Sequence, residues 1–432
     1  MTPPIDGGEL QDLELPSYGI RRIQAALLDD PEFDDCNVVM IDKETADVDA
    51  YVESILAHEP DLVGLSIYVW SAPTLVKVAR RLKELRPNCV IIFGGPSART
   101  ALFDLPFFQQ PNTYMDALVS TEGEMTFREI ARSLPLSNGE LASIPGLHIP
   151  TPVGWLHSDP RPPLQTLDII PSPHTLGIME PNTVSYLETF RGCPLSCTFC
   201  EWGASDKNGA TFSAEYLSRE LEAYKNNHVP AVFLVDAGLN LNAQSFKNLC
   251  EAERNVQFLK NVNFWCEIYP SHVREEHLEF LSNIGPSYLG IGLQSLDPEV
   301  LKAHQRPFNQ PKFESSIHQL AEVSEGEVQI IFGLPLDSPI GFLKTLAYAR
   351  SLPVAVRAYH CLVLPDALMT RAQPHWDIKY DPMTLEMTSC RGWSSDDLLD
   401  MRDRLTSEAL GSGGRAGDYW WFFPPLKKNG SR

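Results

Sequence analysis

The stretch YLETFRGCPLSCTFCEWG, residues 186–203, sets Cys193, Cys197 and Cys200 in a C-x3-C-x2-C spacing. A β-rich run, Val184 to Phe190, leads into it, and Gly192 and Pro194 force a loop. Three thiolates on one tight loop match a structural zinc site poorly, because such sites normally close with four ligands. They suit an iron–sulfur cluster, which thiolates hold. Three ligands to a four-iron cubane leave one iron open to a substrate or cofactor. A zinc knuckle and three unrelated thiols are the alternatives that the loop taken alone leaves standing.

At 432 residues the chain is long enough for two domains. Its 35 Lys and Arg against 56 Asp and Glu leave a formal charge of −21. That balance argues against a nucleic-acid partner, since phosphate binding needs a basic surface. No apolar run approaches the roughly 20 residues of a membrane span, and the N-terminus lacks a basic-then-apolar secretory pattern. The expectation is a cytoplasmic protein with no membrane partner. The six remaining cysteines, Cys36, Cys89, Cys250, Cys266, Cys361 and Cys390, are scattered without paired spacing, which is not a disulfide framework.

A C-x3-C-x-aromatic-C loop after a strand resembles the radical S-adenosylmethionine (SAM) family. The resemblance implies a [4Fe-4S] cluster on Cys193, Cys197 and Cys200, with Phe199 as the aromatic beside adenine. In that family the open iron binds the methionine amine and carboxylate. One electron then cleaves the C–S bond and yields a 5′-deoxyadenosyl radical. An electron donor such as flavodoxin or ferredoxin is implied with it.

Upstream, short apolar strands alternate with helices. The pattern predicts helices over 19–28, 48–58, 72–85 and 126–133, and strands over 37–41, 61–69, 89–93 and 117–120. Such alternation implies a doubly wound, Rossmann-like parallel sheet, whose ligands bind outside the carboxyl ends of the strands. Residues 66–71, 94–97 and 121–124 fall on that rim. This rim resembles the cobalamin-binding domain joined to many radical SAM enzymes. Ser66 matches the first residue of its S-x-L-like turn, with Tyr68 where Leu is usual. Gly94-Gly95 match its Gly-Gly turn, where absent side chains let backbone approach a nucleotide tail. Glu122-Gly123-Glu124, followed by Thr126-Phe127, resembles its G-E-G-E-x-T-F stretch, with Thr121 in place of the first Gly.

Two departures matter. The D-x-H-x-x-G motif that supplies an axial histidine to cobalt is absent, so Tyr68 or Trp70 becomes a candidate cover for the lower face, with a core or hinge role for Trp70 as the alternative. Relatives also start with a hydrophobic strand that residues 1–16 do not contain, so the sheet lacks an edge strand or the start is truncated. Residues 146–178, dense in proline, read as an irregular connector resembling the L-D-x-L-P-x-P link before the cluster domain.

After the cysteine loop, strands over 231–235, 263–268, 288–293, 328–332 and 356–363 alternate with helices. With the strand before the cysteines they form six units of an open, partial (β/α)6 barrel, whose active residues lie at the carboxyl ends of its strands. Gly292-Leu-Gln294-Ser295 with Leu301 and Arg306 resembles the family's G-x-Q-S…L-x-x-x-x-R signature. The resemblance implies Gln294 and Ser295 at ribose and Arg306 at the methionine carboxylate, against a solvated helix charge for Arg306. Asp236 occupies the position whose backbone meets the methionine amine, and Ile331 and Leu364 lie in the two segments that flank adenine. Glu267 points a carboxylate into the same cavity, with a barrel salt bridge as its alternative. Glu201 and Trp202 order the cluster loop or face the corrin. A helix follows from Ser394 to Leu405, and 418–425 forms an aromatic lid or core.

The expected organisation is thus α/β: a cobalamin-type domain over 1–145, a linker over 146–178, a radical SAM partial barrel over 179–395 and a tail over 396–432. The expected reaction is cobalamin-dependent methyl transfer to an unactivated carbon of a small-molecule or peptide substrate. In the family the deoxyadenosyl radical removes hydrogen from substrate, and the substrate radical takes methyl from methylcobalamin, which a second SAM replenishes. The alternatives are a radical SAM enzyme with a vestigial cobalamin domain, and a non-enzymatic iron–sulfur redox or sensor protein.

Overall fold

The computed structural model describes residues 16–43, 45–135, 138–204 and 209–426. The chain divides into two compact units, Met1–Glu180 with Pro382–Thr384, and Pro181–Asp381 with Leu385–Arg432.

In the first unit, helices α1 (Tyr18–Leu28) and α2 (Val48–Leu56) precede β1 (Leu62–Ser66). Then come α3 (Ala72–Leu85), β2 (Val90–Gly94), α4 (Thr100–Phe103), β3 (Ala117–Val119), α5 (Gly123–Arg132), α6 (Asn138–Leu141), β4 (Leu147–Thr151) and β5 (Gly154–His157). The sheet order is β1-β2-β3-β4-β5, parallel through β3 and antiparallel beyond it. Strand alternation splits the core between two faces. Ile92, Ala117 and Val119 point toward Phe127 and Ile130 of α5, while Phe93 meets Phe103 of α4 and Tyr114 edge-on.

Two expectations are corrected here. Residues 37–41 form no strand, and Val39 is exposed; β1 is the sheet's edge among the described residues. The run is short, and it accepts a long hydrogen bond from Gln24 Nε2 at the Val38 carbonyl (3.4 Å) where a strand would pair with a ladder. Residues 146–178 are not irregular throughout, because β4 and β5 form a hairpin that extends the sheet. Pro150 is tolerated in β4 since only Leu147 and His148 pair with β3, and the missing N–H lies past that ladder.

The second unit contains β6 (Ser185–Leu187), α7 (Ala214–Asn226), β7 (Ala231–Leu234), α8 (Ala243–Val256), β8 (Asn263–Ile268), α9 (Glu275–Asn283) and β9 (Ser287–Gln294). After these come α10 (Pro298–Ala303), α11 (Gln310–Val323), β10 (Glu325–Phe332), α12 (Pro339–Ser351) and β11 (Ala355–His360). The six strands β6 to β11 are parallel and in chain order, the partial barrel expected. A small hairpin, β12 (Lys379–Tyr380) and β13 (Met387–Ser389), and α13 (Ser395–Gly411) follow. Ser394 caps α13, its hydroxyl accepting from the Asp397 N–H.

The C-terminal aromatic run packs as core and not as a lid. β15 (Trp420–Phe423) pairs antiparallel onto β11, β14 (Arg415–Ala416) pairs antiparallel onto β15, and the two lengthen the barrel sheet. Trp421 and Phe423 are buried on one face. Trp420 and Phe422, on the other, sandwich the Arg357 guanidinium at 5.0 and 5.1 Å. Arg357 also makes a two-pronged ion pair with Glu327, 2.6 Å on each arm, and both side chains are almost fully buried.

Candidate active site

In the second unit the cysteine loop is closed at its base like a clasp. Phe190 bridges Thr211, the Arg191 N–H donates to the Ala210 carbonyl (3.0 Å) and the Phe212 N–H donates to the Thr189 carbonyl (3.0 Å). Gly192 turns the chain into the loop at φ +113°. Cys193 and Cys197 are buried and Cys200 is partly exposed. No three His, Cys, Asp or Glu side chains among the described residues converge on one metal ion. Three thiols on one clasped loop are a donor set that fits an iron–sulfur cluster, which thiolates hold. The Arg306 Nη1–H points at Cys197 Sγ from 3.8 Å.

Two further side chains hold the loop from the barrel. Arg371 donates to the Cys200 and Ser196 carbonyls and, through Nε, to the Asp366 carbonyl at 2.8 Å. His304 meets Thr198 Oγ1 at 2.7 Å. Neither carries a signal along the chain, because a clamp is defined by the loop it reaches.

The strand ends bring most of the expected SAM residues together. Asp236, just past β7, is buried and accepts from the Thr189 N–H (2.8 Å), the Phe190 N–H (3.4 Å) and the Thr189 hydroxyl. Burial pushes its carboxyl up to about 7 against those hydrogen bonds. Its side chain thus ties β7 to the root of the cysteine loop.

Glu267 of β8 faces inward beside Gly290 of β9. It accepts from Gln329 Nε2 (3.0 Å), and burial raises its carboxyl to about 7 while Arg306 and Arg357 pull the other way. Gly292 makes room one layer higher: a Cβ there would lie 2.7 Å from both Arg306 Nη2 and Gln294 Nε2. Arg306 donates to the Gly292 carbonyl (2.7 Å) and its guanidinium covers the Tyr269 ring at 4.9 Å.

Gln294 adopts φ +70° at a register shift between β9 and β10, which turns the chain at the strand end. Ile331 is half-buried on β10, and Leu364 half-buried just before the turn Pro365–Met369. Phe199 is buried, its ring 5.8 Å from His304. Ser295 is not brought into this group. It is fully buried, its hydroxyl donates to Asp337 (3.2 Å) and it accepts from the Asp297 N–H (3.2 Å), so both ends of the hydroxyl are committed to the wall.

In the first unit Ser66 and Gly94 lie side by side in register. Gly95 follows at φ +100°, and a Cβ there would sit 2.8 Å from the Ile67 N and O atoms, so only glycine fits. Tyr68 and Trp70 stack at 4.7 Å and are exposed at the β1 end. Glu122 precedes α5, its carbonyl accepting from the Thr126 hydroxyl (2.9 Å). Glu124 is buried, and Gly123 lets Ile23 of α1 close against the helix start. The rim thus holds a bare backbone turn, as a nucleotide-bearing cofactor requires.

The two units define a class: a partial barrel with a three-cysteine cluster loop at the carboxyl ends of its strands, in one chain with a parallel α/β sheet bearing a bare Gly-Gly turn. The radical SAM superfamily model matches residues 187–349, and the B12 binding domain model matches residues 12–131. The chain thus carries a radical SAM domain and a B12 binding domain, and the cofactors of these two domains are a [4Fe-4S] cluster, SAM and cobalamin.

It is 28% identical over 345 residues to 2-(S-pantetheinyl)-carbapenam-3-carboxylate methyltransferase of Streptantibioticus cattleyicolor, covering 72% of this chain and 48% of that protein. It is 28% identical over 347 residues to the cobalamin-dependent radical SAM methyltransferase TokK of Streptomyces tokunonensis, with the same coverages, 72% and 48%. The chain thus spans about half the length of these curated relatives. Its fold matches the radical SAM methyltransferase TsrM of Kitasatospora setae (TM-score 0.68, 16% identity, 91% of this chain and 85% of that one). It also matches the cobalamin-dependent radical enzyme OxsB (TM-score 0.69, 15% identity, 93% and 65%). Among the described residues no helix is long and apolar enough to cross a membrane.

Proposed function

We propose that this protein is a cobalamin-dependent radical SAM methyltransferase that methylates an unactivated carbon of a small-molecule or peptide substrate. The observation that carries this reading is the joint presence, in one chain, of the clasped three-thiol loop with Arg306 at Cys197 and a B12-type rim with its bare Gly94-Gly95 turn. Two relatives that cover most of the chain are named as methyltransferases.

When bound, the cluster supplies the electron that cleaves SAM, and cobalamin carries the methyl group. The chain's own residues bind and orient. Cys193, Cys197 and Cys200 hold the cluster. Arg306 offers a guanidinium to the methionine carboxylate, and the backbone after Asp236 lies at its amine. Gln294 serves the ribose, while Phe199, Ile331 and Leu364 line the adenine. Glu267, held by Gln329, supplies a carboxyl that burial keeps close to half-protonated near neutral pH. Ser66, Gly94, Gly95 and Glu122 to Glu124 form the cobalamin rim, with Tyr68 and Trp70 beside it. The reading places the protein in the cytoplasm, served by a flavodoxin or ferredoxin as electron donor and with no nucleic-acid partner.

The test is anaerobic expression with cobalamin, then iron, corrin and SAM-product analysis of the reduced protein. The expected products of SAM are 5′-deoxyadenosine and S-adenosylhomocysteine. Cleavage without corrin absorbance would replace the reading with a vestigial cobalamin domain. A reconstituted cluster that yields no 5′-deoxyadenosine would replace it with an iron–sulfur redox or sensor protein.

A further inference from the structure

His304 ends α10 and is fully buried. Its Nε2 lies 2.9 Å from the Pro335 carbonyl oxygen, which can only accept, so Nε2 carries the proton. In the neutral ring Nδ1 is then the acceptor, and the Thr198 hydroxyl donates to it at 2.7 Å. The His304 carbonyl also accepts the Thr198 N–H at 3.1 Å. One residue therefore holds Thr198 by both of its donors.

The ring itself is enclosed. Phe199 lies against it at 5.8 Å between centroids and Trp376 at 4.7 Å. With both nitrogens committed and aromatic rings around it, His304 is neither a metal ligand nor a base. Its partners are more telling. Thr198 sits between two cluster cysteines, Phe199 is its neighbour, and Pro335 closes the segment that begins at Ile331. Arg306, two residues on, reaches Cys197 Sγ.

We infer that His304 is a positioning residue that locks the Cys197–Cys200 segment to the Ile331–Pro335 segment. It thereby sets the distance and tilt between the cluster and the nucleoside end of SAM. This rests on the radical SAM reading. The cluster ligands have independent support from Arg371 at Cys200 and Ser196, so losing His304 displaces Phe199 without releasing iron.

The test uses the full-length, cobalamin-loaded and cluster-reconstituted protein, with SAM affinity and the SAM-induced change in the cluster's EPR spectrum as readouts. His304→Leu and Thr198→Val are each expected to weaken SAM binding by about tenfold, the effect of one buried hydrogen bond, with iron per chain unchanged. The double variant should be no weaker than either single one, because both break the same link. His304→Asn keeps an acceptor for Thr198 and should recover part of the loss. Should His304→Leu fail to fold, Thr198→Val, which leaves the histidine in place, decides. Wild-type SAM affinity and an unaltered EPR response in folded Thr198→Val would overturn the inference, as would additive losses in the double variant. A wild-type cluster whose EPR spectrum ignores SAM would instead overturn the radical SAM reading and the inference with it.

Discussion

A Cβ on Gly290 would overlap the carboxylate of Glu267. The two residues are paired across β8 and β9, so their side chains leave the same face of the sheet at neighbouring points. Glu267 occupies the volume that any other residue at 290 would need.

Gly290→Ala should therefore displace Glu267, break its hydrogen bond from Gln329 and cost about 1–3 kcal/mol by overpacking. Glu267→Ala should remove the clash, so that the double variant is more stable than the sum of the two losses predicts. Urea denaturation of the four proteins measures the coupling, and strict additivity would show that the two residues do not compete for space.

Asp236 makes stability depend on pH. Its folded-state pKa is raised to about 7 from an ordinary value of 3.8, because burial outweighs the hydrogen bonds from Thr189 and Phe190. A raised carboxyl favours the protonated fold. Its contribution is complete below pH 3.8 and is lost as pH rises through about 7. Asp236→Asn should flatten the fall in stability between pH 4 and 8, roughly the window these values bracket. Asp236→Ala should instead cost about 1–3 kcal/mol at every pH by orphaning two buried N–H groups. Denaturant midpoints at several pH values separate the two outcomes.

The Arg357–Glu327 pair lies inside the barrel, with the Tyr288 hydroxyl donating to Glu327 at 2.9 Å. Arg357→Ala should cost about 3–5 kcal/mol, since it leaves a buried carboxylate without its cation. Replacing both, as Arg357→Met with Glu327→Leu, should recover most of that loss. Thermal melts check the order: a single variant as stable as the double one would mean that water already reaches the pair.

On the cobalamin side, Gly95→Ala places a methyl group 2.8 Å from the Ile67 backbone at φ +100°. The strain should cost about 1–3 kcal/mol, and the shift of the turn that relieves it should lower corrin uptake. Corrin absorbance after reconstitution, read beside the melting temperature, is the measurement, and full corrin loading would remove the turn from the binding surface.

Changing Cys193, Cys197 or Cys200 to Ala should abolish cluster assembly and SAM cleavage together. Iron and sulfide analysis after anaerobic reconstitution reads the outcome. Cluster content retained in any of the three would take that residue out of the ligand set.

Much of this molecule was legible along the chain. The spacing of the three cysteines, the period of the apolar strands and the glycines at strand ends act over a few residues, and each landed where its spacing placed it. Helix α3 ran over the expected residues 72–85, and β8 over the expected 263–268. What failed were segments whose state depends on a distant partner. The run 37–41 has strand composition and no ladder beside it. The proline-rich 147–157 has connector composition, yet β3 offers it two residues to pair with. The aromatic run 420–423 is core, one of its two expected states, and only its pairing as a strand on the open edge of β11 went unread.

The candidate site divides in the same way. The chain alone determined that three thiols share a loop, that carboxylates and an arginine fall at barrel strand ends, and that Gly94-Gly95 leaves backbone bare. Only the tertiary structure decided what those groups face. It turned Ser295 into the wall toward Asp337, gave Asp236 to Thr189, set Glu267 over Gly290, and brought His304 and Arg371 onto the cysteine loop from elements more than a hundred residues away. The physical reason is that residue type and spacing set what a group can do. Register across strands and burial set which partner it meets and which charge it keeps.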